Sequence, residues 1–151
     1  MARTTSHDKH AARENEILDA ALVLIQSKGY EQMTIQDILD ELQISKGAFY
    51  HYFRSKRALL QAVIARMADQ MMTVLRPIVE DTGKPALAKL EAVFQAGAVW
   101  KSARMDAMIG LLHAWYADDN ALVRDKLSRA SLNQFRPVLG SIIEQGISPR
   151  A

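Results

Sequence analysis

No cysteine occurs anywhere in the 151 residues, which excludes disulfides, thiolate metal sites and a cysteine nucleophile. No apolar run approaches the roughly 18 to 20 residues that a membrane span needs. The first residues, Met1-Ala-Arg-Thr-Thr-Ser-His-Asp8, are polar rather than apolar, unlike a secretory signal. The chain therefore reads as soluble and cytoplasmic. Glycine-rich phosphate loops, a zinc-ligating His pair on a helix face and a serine in a strand-turn-helix elbow are all missing, so an enzyme reading has no residues to carry it. No sign of charge dominates: the net charge is +2, and residues 1 to 60 hold eight Lys/Arg against eight Asp/Glu. Any case for a nucleic-acid partner must come from where charges sit, not from their total. No alternating run bounded by hairpin turns occurs either, which leaves an all-α class with no cofactor.

What is present is helical periodicity. At 49% hydrophobic the chain can bury a good core, and length alone suggests one domain, but the pattern divides it in two. A flexible polar arm, residues 1–10 with Arg3 and Lys9, leads into a helix of about residues 11 to 28 that buries Ile17, Leu18, Ala21, Leu22 and Ile25. Gly29 ends it, with Lys28 as a cation against the dipole. Ser55 caps a long helix whose Leu59, Leu60, Val63, Ile64, Met67, Met71 and Leu75 keep helical period until Pro77 disturbs it. The linker Glu80-Asp-Thr-Gly-Lys-Pro85 marks a break, and Pro85 suits the first turn of a fifth helix reaching about Trp100. A sixth spans about 103 to 117. Asp118 or Asp119 caps a seventh that ends at Gly146 and kinks at Pro137.

The chemistry concentrates between Thr34 and Arg57. Thr34 has Asp37 three residues on, the spacing of a capping box, and the helix it starts runs to about Leu42 with Ile35, Ile38, Leu39 and Leu42 inward. Ile44 turns the corner, Ser45 caps a second short helix, and Phe49 and Phe53 at i, i+4 face the core. The opposite face carries Lys46, Gly47, Tyr50 and His51. From Ser45 to Arg57 there are four cations, Lys46, Arg54, Lys56 and Arg57, and no carboxylate, a local charge of +4. Two helices around a tight corner with cations and phenols on the second form a helix-turn-helix with the footprint of phosphate binding.

Gly29-Tyr30-Glu31 before Met33-Thr34-Ile35, then Ile44-Ser45-Lys46-Gly47-Ala48-Phe49-Tyr50-His51-Tyr52-Phe53-Arg54-Ser55-Lys56-Arg57-Ala58-Leu59, resembles the N-terminal domain of TetR/AcrR-family transcriptional regulators across about residues 13 to 64. The resemblance implies a DNA-binding domain, residues 1–54, and a helical ligand-binding and dimerisation domain, residues 55–151. It also implies a homodimeric repressor that binds palindromic double-stranded DNA and leaves it when a small-molecule effector enters the second domain. Carried over by position, Thr34 contacts phosphate and Gln36 reaches a base. Ser45, Lys46, Gly47 and Ala48 lie in the major groove, Tyr50, His51 and Tyr52 meet the DNA backbone or an adjacent base, and Lys56 clamps a phosphate. Two positions depart from the family: Gln43 stands where glycine is usual, and Leu39 where alanine is. Family members usually add two more helices, so the chain is expected to be cut where the eighth would begin, or to dimerise through its seventh helix and neighbours.

Each assignment has a plainer rival. A cationic face is usually just solvated, but the missing acids and flanking tyrosines favour DNA here. His7 and His10 at i, i+3 invite a metal reading, yet they lack the further ligands zinc demands, and no metal site is assigned. Met67, Met71, Phe94, Trp100, Met105, Met108, Trp115 and Phe135 form a stripe that is more often core than pocket. Only the family resemblance raises them, with His113, to a lining for an apolar or aromatic effector. The competing function is a helical module that binds a protein or ligand and has lost DNA affinity.

Overall fold

The structure is a computed structural model that describes residues 2–116 and 121–148, without the side chains of residues 2–7, 122 and 123. The described residues form seven α-helices: α1 Ala2–Lys28, α2 Ile35–Leu42, α3 Lys46–Tyr52, α4 Lys56–Glu80, α5 Ala86–Ser102, α6 Met105–Tyr116 and α7 Ala121–Ile147. The fold is all-helical, with an N-terminal helix-turn-helix. The expected caps of the seventh helix, Asp118 and Asp119, lie outside the described residues.

The helices group into two compact units, one of residues 1–64 with 106–123 and the other of residues 65–105 with 124–151. Set beside the consecutive division 1–54 and 55–151 drawn from the sequence, these units group residues 55–64, which include the start of α4, and α6 from Asp106 with the first. Its N-terminal part is also more regular than expected. The segment read as a flexible arm belongs to α1, which begins at Ala2. No glycine or proline interrupts residues 2 to 28, so nothing in the local sequence stops the helix from extending outward.

In the first unit, Ile17, Ile25, Met33, Ile38, Phe49, Leu59, Leu60 and Val63 are fully buried. α1 ends as its sequence requires: Gly29 takes φ +81°, and its N–H donates to the Ile25 carbonyl at 3.0 Å. α6 crosses close to this end of α1 at Gly110. A Cβ there would lie 3.1 Å from the Ile25 Cγ2 and 3.1 Å from the Ile25 carbonyl oxygen, so the missing side chain is what permits the approach.

The second unit is built on Leu75, Val93 and Ile142, against which Met71, Ile78, Val79, Leu90 and Phe135 pack. α4 continues through Pro77 to Glu80, and α7 continues through Pro137 to Ile147. Pro85 sits at the N-cap of α5, one place before the expected first turn. Lys89 is buried, and its ammonium donates to the Val79 carbonyl at 2.8 Å, a cation on the carbonyl end of α4 where the dipole favours it. Amide side chains of α7 tie the unit further: Gln134 donates to Asp69 and Gln145 to the Lys84 carbonyl, each at 2.9 Å.

Candidate nucleic-acid interface

The corner between α1 and α2 is set by one carboxylate. Thr34 has extended backbone at the N-cap, and its Oγ1 accepts from the Asp37 N–H at 3.1 Å. Asp37 Oδ2 accepts in return from the Thr34 N–H at 2.7 Å and from its hydroxyl at 2.8 Å. Asp37 Oδ1 accepts from the Lys28 ammonium at 2.8 Å. These donors, the lysine first, hold the Asp37 carboxyl well below its ordinary value, at about 2.

α2 then stops abruptly. Gln43 adopts φ 53°, ψ 42°, the left-handed conformation for which the family's usual glycine is suited. The N–H groups of Gln43 and Ile44 both donate to the Leu39 carbonyl, closing the helix and turning the chain toward α3. There Ser45 is the N-cap, with Oγ accepting from the Ala48 N–H at 3.1 Å. Phe49 and Phe53 are buried, at 0% and 5% exposure, and the rotation this imposes brings Lys46, Gly47, Tyr50 and His51 to the exposed side. A Cβ on Gly47 would meet nothing nearer than Ser45 Oγ at 3.9 Å, so the backbone there is open to a close partner. Ser55 caps α4 in the same manner, accepting from the Ala58 N–H at 3.0 Å.

Not every residue singled out in the sequence stands free on this surface. Thr34 and Ser45 are exposed but already spend their hydroxyls on helix starts. The Gln36 amide donates to Asp40 at 2.7 Å. Ala48 and Tyr52 are half-buried. Lys56 turns inward: its ammonium donates to the Glu31 carbonyl at 3.2 Å and lies 4.4 Å from the centre of the Tyr30 ring. Burial lowers the Lys56 pKa, opposed by the Glu31 and Asp37 carboxylates. Burial foremost, with Glu31, raises that of Tyr30.

One neighbour of the interface escaped the sequence reading. His10, taken as part of a flexible arm, lies in α1 with its ring centre 4.6 Å from that of Tyr52 and 5.5 Å from that of His51. The sequence separation of about forty residues gives no local signal for such a contact. Among the described residues, no cluster of three or more metal-ligating side chains occurs.

The residues read as a ligand lining fall on both compact units. In the first, Met108 and Trp115 are half-buried, and His113 is exposed in an open groove shared with Gln26, Ser27, Asp106, Ile109 and Gly110. In the second, Met67 is buried, while Met71 and Phe135 pack onto the core of that unit. Phe94 and Met105 are exposed at 66% and 52%. Trp100 is buried beside a separate groove.

Residues 17–63 match the model of the family described as bacterial regulatory proteins, tetR family. Over these residues the chain is similar to that family. The chain is 44% identical over 61 residues to the uncharacterized HTH-type transcriptional regulator YuxN of Bacillus subtilis, covering 40% of this chain and 21% of that one. It is 31% identical over 85 residues to the HTH-type transcriptional repressor KstR2 of Mycobacterium tuberculosis, covering 56% and 42%. The chain thus spans less than half the length of the curated relatives it matches. Among solved structures, it superposes on the TetR family transcriptional regulator PfmR from Thermus thermophilus with a TM-score of 0.62 at 25% identity, over 89% of this chain and 74% of that one. A putative transcriptional regulator from Pseudomonas aeruginosa shares the fold, with a TM-score of 0.74 at 20% identity over 89% and 65%. No described helix is long and apolar enough to cross a membrane.

Proposed function

We propose that this chain is a ligand-responsive transcriptional regulator of the cytoplasm, a repressor that binds a palindromic operator as a homodimer. The observation that carries the reading is the exposed face of α3, where Lys46, Gly47, Tyr50 and His51 stand together in a stretch of four cations and no carboxylate from Ser45 to Arg57. Phosphate neutralisation needs such a face, and a second helix after a tight corner is the element that enters a major groove. In this reading Ser45, Lys46, Gly47 and Ala48 meet base edges. Tyr50, His51 and Tyr52 meet the sugar-phosphate backbone, and Gln36 exchanges its bond to Asp40 for a base. Thr34 and Lys56 hold phosphates, the ammonium using donors left over from Glu31. The repressor named among the relatives, KstR2, supports the choice of repression.

Electrophoretic titration on operator and scrambled duplex tests the division of labour. Replacing Lys56 by Ala weakens both duplexes alike and shallows the salt slope by about one ion, whereas replacing Lys46 changes base preference by roughly 1 to 3 kcal/mol per lost pair. Unchanged affinity in both variants refutes the assignment. Two copies are required because one motif reads too few base pairs, and paired recognition helices about 34 Å apart meet successive grooves. Sedimentation with and without a palindromic duplex reads the stoichiometry directly.

A further inference from the structure

The second unit carries an open groove of about 470 Å³, within the range of about 300 to 1,000 Å³ over which small-molecule sites fall. Its apolar lining is Val74 from α4 with Ala92, Ala96, Val99 and Trp100 from α5 and Ala103 at its C-cap. Val74 and Val99 are 40% and 65% exposed, so the walls are apolar surface open to a partner. Gln95 supplies an amide, and Arg104 is the one charged residue of the lining.

Arg104 is placed by its neighbours. Its guanidinium carbon lies 4.4 Å from the centre of the Trp100 ring, and Nη1 donates to the Trp100 carbonyl at 3.4 Å. Trp100 is 7% exposed, so the indole is a fixed platform for the cation. A guanidinium carries five N–H donors. One long bond to a carbonyl leaves a preset fork beside an apolar channel, and a fork of that kind matches a carboxylate in two parallel hydrogen bonds.

We propose that this groove binds an apolar carboxylate, its hydrocarbon along Val74, Ala96 and Val99 and its carboxylate on Arg104. The inference deepens the ligand-responsive reading above and rests on it for its biological sense, but the binding itself is measured without DNA. It narrows the effector from any apolar or aromatic molecule to an anionic amphiphile. A cation near the carbonyl end of α5 also interacts favourably with that helix, so the test must separate a binding role from a purely stabilising one.

The experiment titrates the full chain carrying Trp115→Phe, so that Trp100 is the sole tryptophan and is excited selectively, with decanoate and separately with decan-1-ol, below micelle formation. Decanoate is expected to change Trp100 emission saturably and to bind about tenfold more tightly than the alcohol. Arg104→Gln should remove that difference by weakening decanoate about tenfold while leaving the alcohol unchanged, and Arg104→Lys should keep part of it. Val99→Glu, at a mostly exposed position, puts a carboxylate in the groove and should abolish decanoate binding with the helical circular dichroism intact. Equal affinity for acid and alcohol, no saturable response to decanoate, or full affinity in Arg104→Gln overturns the proposal. Arg104-dependent decanoate binding by a chain that binds no duplex upholds the site and counts against the regulator reading alone.

Discussion

Lys28 at the end of α1 and Asp37 in the first turn of α2 are joined at 2.8 Å, and the same carboxylate closes the capping box with Thr34. One side chain therefore fixes both where α2 begins and how it leaves α1. The Asp37 pKa lies at about 2, below the unfolded carboxylate value of about 3.9. A depressed folded-state pKa gives stability that is fully present above the unfolded value and lost as pH falls through the folded one. Asp37→Asn should accordingly lose stability at neutral pH and flatten the acid dependence between about pH 4 and pH 2. Urea denaturation across that window checks it, and a variant with the wild-type acid profile would place the dependence elsewhere.

Gln43 holds φ 53° without the freedom of glycine. Left-handed backbone costs a side-chain-bearing residue about 1 to 2 kcal/mol, and glycine returns about 0.5 to 1 kcal/mol of that through its own unfolded-state freedom. Gln43→Gly should stabilise the fold by about 0.5 to 1 kcal/mol, and Gln43→Val should destabilise it by about 1 kcal/mol or more, because β-branching is least tolerated there. Chemical denaturation midpoints decide between this and a neutral corner.

Gly110 is expected to be the least replaceable residue of α6. Ile25 can rotate its Cγ2 away from a new Cβ, but its carbonyl oxygen, equally at 3.1 Å, is fixed in α1. Gly110→Ala should cost about 1 kcal/mol and Gly110→Val about 3 kcal/mol, as overpacking generally does. Pairing Gly110→Ala with Ile25→Leu, which lacks the Cγ2 methyl, should recover only part of the loss. Complete recovery would show that the side chain alone makes the contact tight.

His10 is expected to matter to α3 although it lies far away in sequence. Removing its ring from Tyr52 and His51 should lower stability by about 0.5 kcal/mol, the low end for an exposed aromatic pair, and loosen Tyr52. Thermal denaturation of His10→Ala beside His10→Phe reads this, with the phenylalanine variant retaining stability.

The parts legible in the sequence were those governed by neighbours in the chain. Thr34, Ser45 and Ser55 start helices by bonding groups three residues on, and Gly29 ends one, so each could be placed from spacing alone. Phe49 and Phe53 fixed the rotation of α3 for the same reason. What depends on distant residues was hidden: the His10 contact, the turn of Lys56 toward Tyr30, the buried Lys89 on the end of α4, and the return of α6 to the first unit. For the aromatic and methionine stripe, hydrophobicity does not say which side chains find partners: Phe94 and Met105 are exposed, while Met71 and Phe135 are partly buried and pack against the core of the second unit.

The proposed function rests on the helix-turn-helix binding duplex DNA through the cations of its Ser45 to Arg57 stretch. Fluorescence anisotropy of a labelled duplex, titrated with the full chain and with its Lys56→Gln variant from about 50 to about 200 mM salt, tests it. Log affinity is expected to fall linearly with log salt, and Lys56→Gln to lose about one ion from the slope. Salt-independent binding, no binding at the lowest salt, or an identical slope in Lys56→Gln would contradict it.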